Sequence, residues 1–156
     1  MERGAQMSLL TFVVAAEEDE AQDVVVSAEP LVEWSGVQVA GLDTGKVTML
    51  HCLLTGDEFD FAVSHYEPVM VTDDEGPLLL CLAHEAQEVL AHLDEDALAQ
   101  VAEELAATEV FEEDGWDGDQ TYDLLLDLAD LARLADSQGQ VLFIWMRPEG
   151  TRRVDE

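Results

Sequence analysis

Six consecutive apolar residues, VLFIWM at positions 141–146, constrain the fold more than any other stretch of this chain. A strand with one face in water alternates apolar and polar residues, so an unbroken apolar run calls for cover on both faces. SLLTFVVAA at 8–16 and LLLCL at 78–82 have the same character and read as further buried strands. DVVVSA at 23–28, GVQVAGL at 36–42, and residues 59–64 and 68–72 read as additional short strands. The acidic run at 17–20 reads as a solvated loop, and DDEGP at 73–77 as a turn.

Between these runs the apolar period changes to that of a helix. In LDTGKVTMLHCLLTG, Asp43 is placed to cap a helix whose stripe is Val47, Leu50, Leu53 and Leu54, with Gly56 as the stop. Ala86, Val89, Leu90 and Leu93 share one face of a helix over 84–93. Asp94, Glu95 and Asp96 open the next helix at its positive end, and Leu98, Val101 and Leu105 form its stripe. Residues 122–135 carry Leu124, Leu125, Leu128, Leu131 and Ala132 on one face, and Gly139 ends that helix. The reading is α/β: a mixed sheet with helices on both faces. The 156 residues form one domain, able to bury roughly 70% of the unfolded surface. Residues 1–7 and 148–156 read as loose tails, with Met7 as an alternative start.

Charge limits the partners. Six Lys and Arg face 36 Asp and Glu, a formal charge of -30, where small soluble domains carry a magnitude of roughly 2–8. Such a surface repels nucleic-acid phosphates and anionic headgroups, and attracts cationic proteins or metal ions. It also keeps a protein dissolved in high salt. With 48% hydrophobic residues, the chain nonetheless has enough apolar surface to fold. Cys52 and Cys81 form no CxxC pair and read as reduced core residues. No apolar run approaches the ~20 residues needed to span a bilayer, so no membrane association is expected. The expected compartment is the cytoplasm.

Motifs for chemistry are incomplete. HEAQE at 84–88 has Glu88 where a zincin helix needs its second histidine. A metal set of His84, Glu88 and His92 steps by four along the helix, but on the face opposite the apolar stripe. DGWDGD at 114–119 fails as an EF-hand, with Trp116 at the third position and Asp119 at the sixth. Asp117 with Gln120 instead matches a capping box, with Trp116 packing beneath it as a staple. His51 and Cys52 are adjacent on a helix and point about 100° apart, so His51 reads as a hydrogen-bonded, partly buried histidine. Ser64, His65 and Glu67 lack a nucleophile elbow, and TGK at 44–46 lacks the rest of a phosphate loop. No cofactor and no catalytic residue is expected.

Three of these segments resemble the YfbM-like family, a bacterial domain of unknown function. Its helix hallmark, LDKxWHxLHxLLTG, is similar to LDTGKVTMLHCLLTG here, matching Leu50, His51, Leu53, Leu54, Thr55 and Gly56. Gly76 and Pro77 precede an apolar strand and an acidic helix, as in the family. The family's IYPxxW segment, followed by a long helix, a glycine and a last strand, is similar to the stretch from Val110 to Trp145. The family's Lys and Trp ahead of the histidine stand here as Gly45 and Val47, and its glycine- and tyrosine-rich turn is reduced to DEGP. The resemblance spans residues 40–146 and implies a three-layer α/β sandwich with no established activity.

The functional expectation is a non-enzymatic, acidic protein-binding module for a basic protein, in the manner of an immunity-type inhibitor or a mimic of nucleic-acid charge. Its expected contacts are Asp94, Glu95, Asp96, Glu112, Glu113, Asp114, Asp117 and Asp119. Two rival expectations are acidity that serves solvation or halophilic adaptation alone, and a metal-dependent or small-molecule enzyme using the His84 region.

Overall fold

The computed structural model describes residues 8–27, 29–71 and 77–149. Its strands are β1 (Ser8–Ala16), β2 (Ser35–Ala40), β3 (Met70–Val71), β4 (Leu78–Cys81) and β5 (Val141–Glu149), in the sheet order β2-β1-β5-β4-β3. Every pairing is antiparallel, where a mixed sheet was expected. The apolar run at 141–146 lies in the middle strand, so its two faces serve two layers. Leu142, Ile144 and Met146 enter the larger core, while Phe143 and Trp145 enter a smaller one on the opposite face.

The larger layer holds α3 (Thr44–Thr55), α5 (His84–His92), α6 (Glu95–Ala106) and α8 (Gly118–Gln138). Their stripes match the expected ones: Leu50, Leu90, Leu98, Leu105, Leu125 and Leu128 are all buried. Side chains cap three of these helices, α3, α6 and α8. Asp43 accepts from the Lys46 amide, Asp94 from Ala97 and Asp117 from Gln120, and Gly56 and Gly139 take left-handed conformations past the C-terminal ends. Gln87 is fully buried and bridges two elements: it donates to Asp136 and to the Gln140 carbonyl, and accepts from the Leu142 amide. A buried amide so fully used ties α5 and α8 to the start of β5.

The second layer consists of α1 (Ala21–Val26) and α2 (Pro30–Glu33), and two strand expectations fail here and nearby. Residues 23–28 were expected as strand, but 21–26 are helical. Glu17 and Glu20 cap each other's backbone ahead of a 3-10 turn over Glu18–Glu20, which runs directly into α1. That turn starts the helix, and burying Val24 and Val25 on Phe143 and Trp145 completes it. Residues 59–64, also expected as strand, form α4 (Phe59–Ala62) and a 3-10 turn over Val63–His65. A short apolar run is ambiguous between the two states, and packing decides it. α7 (Glu109–Glu112) completes the set. Residues 148 and 149, expected in a loose tail, belong to β5, where Leu9 pairs with Pro148 and Ser8 with Glu149; residues 150–156 lie outside the described residues. An extended β1 needs a partner along its length. Residues 1–7 and most of the DDEGP turn lie outside the described residues. Among the described residues, no helix is long and apolar enough to cross a membrane.

Candidate functional site

The loop between α7 and α8 builds one wall of an open groove of about 470 Å³. α7 ends in a Schellman turn: the Trp116 amide donates to the Phe111 carbonyl, the Gly115 amide donates to Glu112, and Gly115 has φ 80°. The Phe111 and Trp116 rings meet edge to face at 5.5 Å, the apolar contact that accompanies this turn. Trp116 thus seals the end of α7 rather than stapling the start of α8. Asp117 and Gln120 then form the expected capping box.

The opposite wall is β2, a sheet edge, through Gln38, Val39 and Ala40. Gln120, Asp123, Leu124 and Asp127 of α8 form the floor, at helical spacing on one face. Neither Asp123 nor Asp127 has an ion-pair partner among the described residues. Two like charges four apart on a helix destabilise it by about 0.2–0.5 kcal/mol until a cation answers them. No described cation is placed to do so. Lys46 is buried and donates to the Gly41 carbonyl, Asp43 and Asp114. Arg133 donates to the Ala91 and Leu93 carbonyls and to Asp130, and Arg147 lies over the Trp145 ring.

The structure divides the expected contact residues. Asp114 is held by Lys46, Asp117 caps α8 and Asp94 caps α6, so three of the eight already have structural work. Glu112, Glu113 and Asp119 are exposed but do not line the groove. Asp94, Glu95 and Asp96 start α6, whose 12 residues extend about 18 Å before the chain reaches α7. Arg133, far along α8 from Asp117, reaches the carbonyls of Ala91 and Leu93 just ahead of that start. The two acidic clusters therefore sit at opposite ends of the helical layer. They do not form one patch.

A second constellation centres on His51, which is fully buried on α3. Its Nδ1 meets the Tyr66 hydroxyl at 2.8 Å and its Nε2 meets Asp57 at 2.7 Å. Tyr66 also accepts from the Ala83 amide, and because the Asp57 carboxylate can only accept at Nε2, a neutral imidazole carries its hydrogen there and Nδ1 accepts from the Tyr66 hydroxyl. His65 stacks on His51 at 5.3 Å, and Phe61 meets His65 edge to face. The hydrogen bond from His51 holds the Asp57 carboxyl below the usual carboxylate range. His51 is thus fully buried and fully bonded, where partial burial was expected. The chain-adjacent Cys52 takes no part.

Burial pushes the Tyr66 hydroxyl up to about 12 and the Cys81 thiol up to about 11. The folded chain keeps these protons at pH values where the unfolded chain has released them. Stability should therefore fall as pH rises from about 9 to about 12, by at most about 3 kcal/mol for each group. Urea midpoints measured across that range should show the decline, and Tyr66→Phe should flatten the portion above about pH 10.

The alternative metal set does not converge. His84 is exposed and 3.7 Å from Glu88, while the His92 Nδ1 is bonded to the Glu88 carbonyl of its own helix. Among the described residues, the titratable cluster whose ligand atoms lie within 4.8 Å of one another is His51, Asp57 and His65. The sequence places His51 on a helix and His65 between two strand candidates, with nothing to connect them.

No family model matches the sequence, and no curated protein matches it. Among solved structures, the chain is similar to a protein of unknown function, YfbM from Escherichia coli. The two share 14% identity with a TM-score of 0.44, over 88% of this chain and 99% of that one.

Proposed function

We propose that the chain is an acidic protein-binding module that receives an extended, cationic segment of a basic protein in the groove between β2 and α8. The observation that carries this reading is the unanswered pair Asp123 and Asp127, set beside a sheet edge and Trp116. An edge strand offers unpaired backbone groups to an incoming strand. Alternate side chains of that strand would point toward the carboxylates, and an Arg or Lys over the Trp116 face adds a cation–π contact. Electrostatic attraction from a chain of charge -30 would speed the encounter.

Exposed carboxylates on helices of both layers, such as Asp23 on α1, Glu33 on α2, Glu85 on α5 and Glu103 on α6, favour a second reading, in which acidity serves solvation alone. Calorimetry separates the two. A short peptide alternating arginine and threonine should bind at low salt, and the double variant D123N/D127N should weaken it by about tenfold or more. Glu103→Gln with Glu104→Gln, which removes the same charge from α6, should leave affinity within about twofold. Equal losses in the two double variants would reduce the effect to net charge and remove the groove from the proposal.

A further inference from the structure

We infer that His51, Asp57 and His65 form a binding site for one divalent transition-metal ion, with zinc the ion whose chemistry fits best. Their ligand atoms lie within 4.8 Å of one another, and they come from three places: the body of α3, the turn after it and the 3-10 turn after α4. Two imidazoles and one carboxylate are a borderline donor set that suits zinc and its neighbours, whereas calcium and magnesium take oxygen ligands.

The surroundings are those of a built site. A metal-binding histidine is ordinarily oriented by a partner on its other ring nitrogen, and Tyr66 supplies one to His51 Nδ1 at 2.8 Å. The Ala83 amide fixes the Tyr66 hydroxyl in turn. Asp57 already faces Nε2 at 2.7 Å, so an ion would take the place of the hydrogen they share. That hydrogen moves to Nδ1, and the Tyr66 hydroxyl, which donates to Nδ1 in the metal-free chain, turns to accept it on its second lone pair beside the Ala83 amide. Burial runs from fully buried His51 through half-buried Asp57 to exposed His65. The ion would therefore have protein on one side and an open position on the other, as in sites that hold a water or a substrate. Phe61, exposed at 58%, meets the His65 ring edge to face at that side of the site. This site lies on α3 and α4, apart from the β2 and α8 groove, and stands independently of it.

The test uses the full chain, stripped with a chelator and titrated calorimetrically with zinc, and separately with calcium because surface carboxylates bind hard ions without selectivity. One zinc per chain is expected, with calcium unable to displace it. His65→Ala changes an exposed side chain and leaves the fold intact by circular dichroism; it should weaken zinc by at least about tenfold, and Asp57→Asn should do the same. Cobalt should give a visible ligand-field band that His65→Ala abolishes. Zinc uptake that calcium matches, or that survives His65→Ala, would overturn the site. So would uptake that His84→Ala or His92→Ala removes, since that would place the ion on α5.

Discussion

Trp145→Ala should destabilise the chain by about 3–5 kcal/mol, the largest loss expected from a single substitution here. Trp145 is 1% exposed in the central strand and faces the thinner of the two layers. Its ring packs against Phe12 at 5.1 Å, and its Nε1 donates to the Val25 carbonyl at the end of α1. The cavity left behind would be covered by α1 and α2, short helices of six and four residues with little side-chain mass to collapse into it. Trp145→Phe keeps most of the volume and loses the hydrogen bond, so it should cost about 1–2 kcal/mol. Urea unfolding followed by circular dichroism measures both. Hydrogen exchange in α1 should accelerate selectively in Trp145→Ala, because Trp145 donates to the Val25 carbonyl of that helix. A cost below about 1 kcal/mol would mean that the second layer is not packed on the sheet as described.

Lys46→Met should cost about 2–3 kcal/mol. Lys46 is the chain's one lysine, and it is 1% exposed. Its ammonium joins the Gly41 carbonyl, the Asp43 cap and, from 68 residues away, Asp114. Methionine matches the stem but leaves the Gly41 carbonyl without its partner. The cost stays below that of breaking a fully buried pair because Asp43 and Asp114 are about half exposed and can turn to water. A double-mutant cycle with Asp114→Asn should show coupling between the two positions. The same substitution releases the loop that carries Trp116. Peptide affinity in the groove should therefore drop with stability in Lys46→Met, and drop without it in D123N/D127N.

Much of the fold is legible because its signals are local. Asp43, Asp94 and Asp117 each cap a helix by bonding an amide three residues on, and Gly56 and Gly139 end helices by conformation alone. The two segments misread as strand, 23–28 and 59–64, are short apolar runs without a full helical period, so tertiary packing determined their state. His51 was placed correctly on α3, but its partners lie six to 15 residues away across two turns, which no period reveals.

The amino-acid sequence by itself determined a two-sided sheet, the main helices with their caps, and a formal charge of -30. Those properties follow from residue type and from spacing within a few turns. Only the tertiary structure decided that all strands pair antiparallel, that Lys46 is spent on Asp114, that the two acidic clusters are apart, and that His51, Asp57 and His65 converge. Each of these depends on where distant segments stop when the core closes, and side-chain packing in three dimensions sets that position.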